Sequence, residues 1–171
     1  KSMIRACARP VQLGLYRFSF ALPTEDFIWG VAIDAKTGKR YCAESLGRNA
    51  IALASMRVRQ SSGKMPFIVY DDAALELFHN LGRAAKSLAG LNGRNGTMFK
   101  FDTLEALADF YKIPKEAFLE QVKKFNGYVK AGEDPEFHRN LKFSNGLDVS
   151  KAPFYGIEVS PKIHHTMGGV M

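Results

Sequence analysis

Strand-like and helix-like runs follow one another in this chain without the regular strand–helix–strand alternation of a parallel sheet. That irregular order is the strongest constraint on its fold. Residues 27–34 are apolar and rich in β-formers, and read as a buried strand. Residues 35–38 end on a glycine and read as a turn, and residues 39–44 read as the returning strand of a hairpin. Residues 48–59 have helical composition, ended by the Ser-Ser-Gly of 61–63; residues 65–70 are a short strand. Asp71 or Asp72 can cap a following helix from Ala73 to about Leu88, with Leu75, Phe78 and Leu81 on one face and His79 as an ordinary helix residue. Gly90, Gly93 and Gly96 lie in a loop and do not make a GxGxxG turn. Residues 98–101 are extended. Asp102 and Glu105 have capping-box spacing ahead of Leu104, Leu107 and Phe110. Pro114 opens a further helix with Phe118, Val122 and Phe125 on one face, closed by Gly127 or Gly132. A polar stretch over 133–153 leads to a last strand at 154–159. Strands and helices mixed in this way predict an α+β domain.

The chain has 171 residues, 46% of them hydrophobic, including 13 Phe, which suffices for one domain with its own core, residues 1–23 being irregular. No apolar run approaches the roughly 20 residues that span a bilayer. The formal charge of +7 is spread along the sequence, without zinc-finger spacing or an RNP-type aromatic motif. That pattern points away from nucleic acid and fits an anionic substrate or an acidic partner. Cys7 and Cys42 do not make a disulfide framework. No metal is expected. HxxxH and HExxH spacings are absent, and adjacent His164 and His165 on an extended chain point to opposite faces.

Residues 162–171, Lys-Ile-His-His-Thr-Met-Gly-Gly-Val-Met, concentrate chemistry. Histidine exchanges protons near neutral pH, and paired glycines let a backbone pass close to a ligand. This run, and the Ala-Pro-Phe-Tyr-Gly-Ile-Glu-Val-Ser-Pro of 152–161 before it, resembles the FAD-dependent fumarate reductase and succinate dehydrogenase flavoproteins, most nearly the flavocytochrome c type of fumarate reductase. Residues 38–44 with Arg48, the Phe125-Asn126 pair and residues 132–139 resemble other segments of that family in the same order, so the likeness covers roughly residues 24–171.

The resemblance implies that residues 1–171 are a substrate-capping domain, part of a larger two-domain flavoprotein whose FAD-binding domain is not in this chain. It implies FAD as the cofactor of the whole protein, a small unsaturated molecule as substrate and an oxidoreductase acting on CH–CH bonds, the fragment alone being inactive. It implies that Arg48 delivers a proton to the substrate and that His164, Thr24 and Glu25 bind it. His165, Thr166, Gly168 and Gly169 would meet the flavin. It also implies a bacterial origin, leaving periplasm and cytoplasm, the electron donor and the direction of reaction open.

The sequence departs from the family pattern in three places. Residues 11–15 hold no histidine where a second carboxylate ligand is expected, residues 27–29 are Phe-Ile-Trp where a relay arginine is expected, and Leu46-Gly-Arg-Asn49 replaces TTRD. These changes count against a dicarboxylate and leave the flavin chemistry untouched. Two other readings stand beside the first. One is a flavin-dependent dehydrogenase of a bulkier, ketosteroid-like substrate, for which Phe27 and Trp29 speak. The other is a non-catalytic binding module in which the histidine pair is structural and Arg48 pairs with Glu44.

Overall fold

The computed structural model describes residues 28–80 and 98–159. Four strands form one antiparallel sheet: β1 (Val31–Ile33), β2 (Phe67–Tyr70), β3 (Met98–Phe101) and β4 (Phe154–Glu158), in the order β1-β2-β4-β3. Among the described residues four α-helices accompany them: α1 (Arg48–Ser62), α2 (Asp72–Asn80), α3 (Leu104–Tyr111) and α4 (Lys115–Ala131). The expected α+β class holds for these residues.

The sheet has a core on each face. Phe67 and Val69 point one way with Val31, Ile33 and Phe154, against Leu107 of α3 and Phe118, Val122 and Phe125 of α4. Ile68 and Tyr70 point the other way with Met98, Tyr155 and Ile157, against Ile51 of α1 and Ala74 and Leu75 of α2. Alternation along a strand divides its side chains between faces. With both faces covered, all four residues of β2 are buried, so the strand reads as one apolar run.

Close approach fixes α3 on the sheet. Tyr111 lies parallel to Phe67 with centroids 5.1 Å apart, and its hydroxyl donates to the Gly156 carbonyl at 2.9 Å. A Cβ on Gly156 would stand 2.7 Å from the Tyr111 ring. Asn126 of α4 works as a backbone mimic: its side-chain amide donates to the Val149 carbonyl and accepts from the Val149 N–H, each at 2.9 Å.

Several expectations are corrected by the structure. The returning strand at 39–44 is reduced to a single bridge between Ile33 and Arg40. Its side chains explain why: Arg40 and Glu44 are buried charges that fold toward partners elsewhere instead of extending a ladder. The cap of α3 is Thr103, not Asp102. Thr103 keeps the extended backbone of β3 (φ −138°, ψ 156°), and its hydroxyl accepts from the Ala106 N–H. Helix α4 begins after Pro114 and ends at Gly132, not Gly127. Asp71 caps α2, accepting from the Ala74 N–H at 2.9 Å. The sequence beyond Asn80 expected to continue α2, the 90–96 glycines and the terminal motif lie outside the described residues.

Gly38 closes the 34–38 turn at φ +72°, where an added Cβ would sit 2.9 Å from the Phe118 N and 3.0 Å from the Pro114 carbonyl oxygen. Left-handed backbone and contact with immovable main chain act together here. Gly38→Ala is therefore expected to destabilise the chain by about 2–4 kcal/mol. Gly127→Ala, in the middle of α4 with nothing within 4 Å, is expected to stabilise it by about 0.5–1 kcal/mol. Urea midpoints of the two variants should move in opposite directions; a shared direction would contradict this account of Gly38.

Candidate functional site

Arg48 is the first residue of α1 and is exposed. The helix start is unlike the other three in charge. Helices α2, α3 and α4 carry Asp72, Glu105 and Glu116 in their first turns, whereas α1 has no acid there and its N-cap Gly47 offers no side-chain acceptor. The partial positive charge of the helix end and the guanidinium thus share one sign at this position, with no first-turn acid between them. Leu46, 42% exposed, and the exposed Leu53 and Met56 lie in the same segment.

A buried cluster includes Glu44, which precedes this helix in the chain. Arg40, Glu44, Asp134 and Arg139 all have side chains with no exposure. Glu44 Oε1 accepts from the Ala32 N–H at 2.9 Å and Arg40 Nε at 3.2 Å. Its Oε2 accepts from Arg40 Nη2 at 2.8 Å and Arg139 Nη1 at 3.1 Å. Asp134 takes both Arg40 Nη atoms in a fork, at 3.2 and 2.9 Å, and its carboxylate also accepts from the N–H groups of Glu136, Phe137 and Arg139. Arg139 Nη1 donates to the Gly30 carbonyl at 2.7 Å, and Nη2 to the Ile28 carbonyl. Phe125 lies against both guanidinium groups and Phe137 against that of Arg40. The two buried cations are paired with two buried anions, and the partly exposed Glu136 adds a third carboxylate 3.6 Å from Arg40 Nη1; such pairing is what allows these charges in the interior. Among the described residues, Arg139 Nε alone is a buried side-chain donor or acceptor atom without a hydrogen-bond partner.

Burial by itself would raise the Asp134 pKa. The hydrogen bond and charge of Arg40 and the N–H groups of Phe137 and Arg139 outweigh it, leaving the carboxyl below the usual carboxylate range. Burial lowers Arg139, while Glu44 opposes that shift. Burial also pushes the Cys42 thiol well up, with the Glu44 charge adding to it. A depressed folded pKa means stability that is present above the unfolded pKa and lost as pH falls through the folded one. Asp134 should thus contribute fully above about pH 4 and progressively less below it. The urea midpoint should fall in that acid range, and fall less steeply in Asp134→Asn; an equal acid slope in both would remove Asp134 as the cause.

Of the residues expected at the site from sequence, Arg48 alone is among those described. Thr24, Glu25, His164, His165, Thr166, Gly168 and Gly169 lie outside them. Glu44, the alternative partner for Arg48, meets Arg40 and Arg139. Trp29 is half-buried against the Ile68/Tyr70 core. The buried cluster was not foreseen. Asp134 is 94 residues from Arg40 and Arg139 is 95 from Glu44 in sequence, and the sequence offered Glu44 only as a partner for Arg48.

The FAD binding domain family matches residues 22–171. The chain belongs to this FAD-binding flavoprotein family. It is 31% identical over 149 residues to an acrylate reductase flavoprotein subunit of Shewanella woodyi, covering 85% of this chain and 27% of that protein. Its fold is similar to the open conformation of a flavocytochrome c3 fumarate reductase, with TM-score 0.66 at 24% identity over 88% of this chain and 24% of that one. It is also similar to the solution structure of a fumarate reductase flavoprotein subunit from Lactobacillus plantarum, with TM-score 0.60 and 22% identity over 85% of this chain and 91% of that one. The chain spans 13% to 27% of the length of the first curated relatives it matches.

FAD is the cofactor that this membership assigns to the protein. An FAD pyrophosphate needs backbone N–H groups at a glycine-rich strand-to-helix turn. The described residues do not offer one. The turns from β2 to α2 and from β3 to α3 carry Asp71-Asp72 and Asp102, and the antiparallel sheet has no parallel pair to frame such a turn. No helix among the described residues is long and apolar enough to cross a membrane.

Proposed function

We propose that this chain is the substrate-capping part of an FAD-dependent oxidoreductase that reduces the C=C bond of an unsaturated acid. The observation that carries the reading is a two-faced α+β unit with its own cores, lacking a phosphate cradle among its described residues and carrying the exposed Arg48 at a helix start with no acid in its first turn. Two comparisons support it. The similar Lactobacillus plantarum chain coincides with this one over 91% of its length, as a separable unit would. The similar Shewanella woodyi protein is an acrylate reductase flavoprotein subunit, whose named substrate is an unsaturated acid with a single carboxylate.

Reduction of an activated C=C bond adds a hydride to one carbon and a proton to the other, and the reduced flavin supplies the hydride. The remaining tasks fall to this chain. Arg48 puts positive charge where enolate-like charge develops, and delivers the proton by a transfer followed at once by reprotonation, because a guanidinium otherwise stays charged. His164, Thr24 and Glu25 hold the substrate. His165, Thr166, Gly168 and Gly169 are the residues assigned to the flavin, glycine being the residue type that allows a close backbone approach. Closure of the cap excludes water and holds the reacting carbon in line.

Purification of the 171-residue chain beside the full-length protein tests the division of labour. The account expects a colourless, folded, inactive chain and a full-length protein carrying FAD. Tightly bound yellow cofactor on the isolated chain would make it the FAD-binding part instead.

A further inference from the structure

The exposed Arg48 needs a rigid base if its guanidinium is to meet a small substrate reproducibly. The described residues show where that base is. Arg139 and Asn140 grip two consecutive residues just ahead of α1: Arg139 Nη1 donates to Glu44 Oε2 at 3.1 Å, and the Asn140 N–H donates to Ser45 Oγ at 3.0 Å. From there the chain turns once, with the Leu46 N–H on the Ala43 carbonyl, and enters the helix with the Ile51 N–H on the Gly47 carbonyl. Arg139 simultaneously holds the carbonyls of Ile28 and Gly30 at the entry to β1. One planar fork thus locks the start of the sheet to the segment that launches α1. A second tie, Tyr41 hydroxyl to Ser55 Oγ at 3.0 Å, holds the middle of the same helix.

Resting on the function proposed above, we infer that Arg139 is a positioning residue for the reaction: it sets the place of Arg48 through Glu44 and the start of α1, without touching the substrate. The chemistry of the cluster favours this over simple packing. A buried ion network gives less stability than apolar residues of the same volume, and what it can supply is one defined geometry. Arg139 has its donors in a fixed plane, so its contacts to Glu44 and to two carbonyls hold together only if these groups keep one relative placement. Misplacement of a reacting group by about 1 Å can cost on the order of 100-fold in rate.

The test uses the full-length, FAD-loaded protein with an unsaturated acid and a reduced dye as donor. Arg139→Leu is expected to lower kcat by about 10- to 100-fold, with KM within about threefold, unchanged FAD content and a larger solvent deuterium isotope effect. Arg139→Lys restores charge without the fork and should recover only part of that loss. Ser45→Ala, which removes the neighbouring Asn140 N–H contact, should lower kcat several-fold with the same rise in isotope effect, and Arg139→Lys decides the matter if Arg139→Leu does not fold. An active wild type whose Ser45→Ala and folded Arg139 variants keep kcat and isotope effect overturns the positioning role alone. A wild type that binds FAD but reduces no unsaturated acid overturns the proposed function and this inference with it.

Discussion

In the full-length protein, Arg48→Ala is expected to lower kcat by about 100- to 10,000-fold while KM stays within a few-fold. The difference between the two constants is the informative part. A group that works on the developing charge and the transferred proton is used mainly in the transition state, so its removal lowers kcat without weakening ground-state binding. A cation that merely held the substrate carboxylate would raise KM instead. Arg48 is suited to the first role by its exposed position at a helix start without acidic neighbours in the first turn. Arg48→Lys keeps a charge but changes its reach and geometry, and should recover only a small part of the rate. Should kcat of Arg48→Ala stay within a few-fold of wild type, the residue is not the proton donor.

The second large effect is on stability. Glu44→Ala should destabilise the 171-residue chain by about 3–5 kcal/mol, because it strips the shared anion from two buried guanidinium groups. Arg40 keeps the Asp134 fork, but Arg139 is left with backbone carbonyls alone as hydrogen-bond acceptors. The Ala32 N–H, which donates to Glu44 Oε1, also loses its acceptor in a fully buried strand. Glu44→Gln keeps an oxygen for that N–H and should cost less than Glu44→Ala. Urea unfolding measures both; a midpoint shift equivalent to less than about 1 kcal/mol for Glu44→Ala would mean that the cluster is effectively solvated.

The fold was legible in the sequence wherever a period carried it. Phe118, Val122 and Phe125 lie on the buried face of α4 as their spacing predicted, and the apolar run at 67–70 is a strand buried on both sides. Pro114 and Asp71 marked helix starts because each has a local mechanism that needs no tertiary context. Asp102 failed as a cap because Thr103 next to it could do the same task while continuing the extended backbone of β3. The hairpin at 39–44 failed for a tertiary reason. Arg40 and Glu44 take partners from the loop after α4, at a sequence distance where charge pairing cannot be guessed. At the candidate site, Arg48 came from resemblance to a motif, and the structure adds its exposure and electrostatics. Arg139 and Asp134 sit inside a segment already noted for its likeness to the family, yet their task became visible only when the cluster was assembled in space.

The most direct measurement of the central claim is a single turnover. The full-length protein, photoreduced without oxygen, is mixed with acrylate in a stopped-flow instrument while the flavin absorbance is followed. The account predicts reoxidation of the flavin within the dead time to seconds, with formation of the saturated acid, no reaction with propionate, and a strongly slowed trace for Arg48→Ala. A reduced flavin that stays reduced in the presence of acrylate, fumarate and larger unsaturated acids would contradict it.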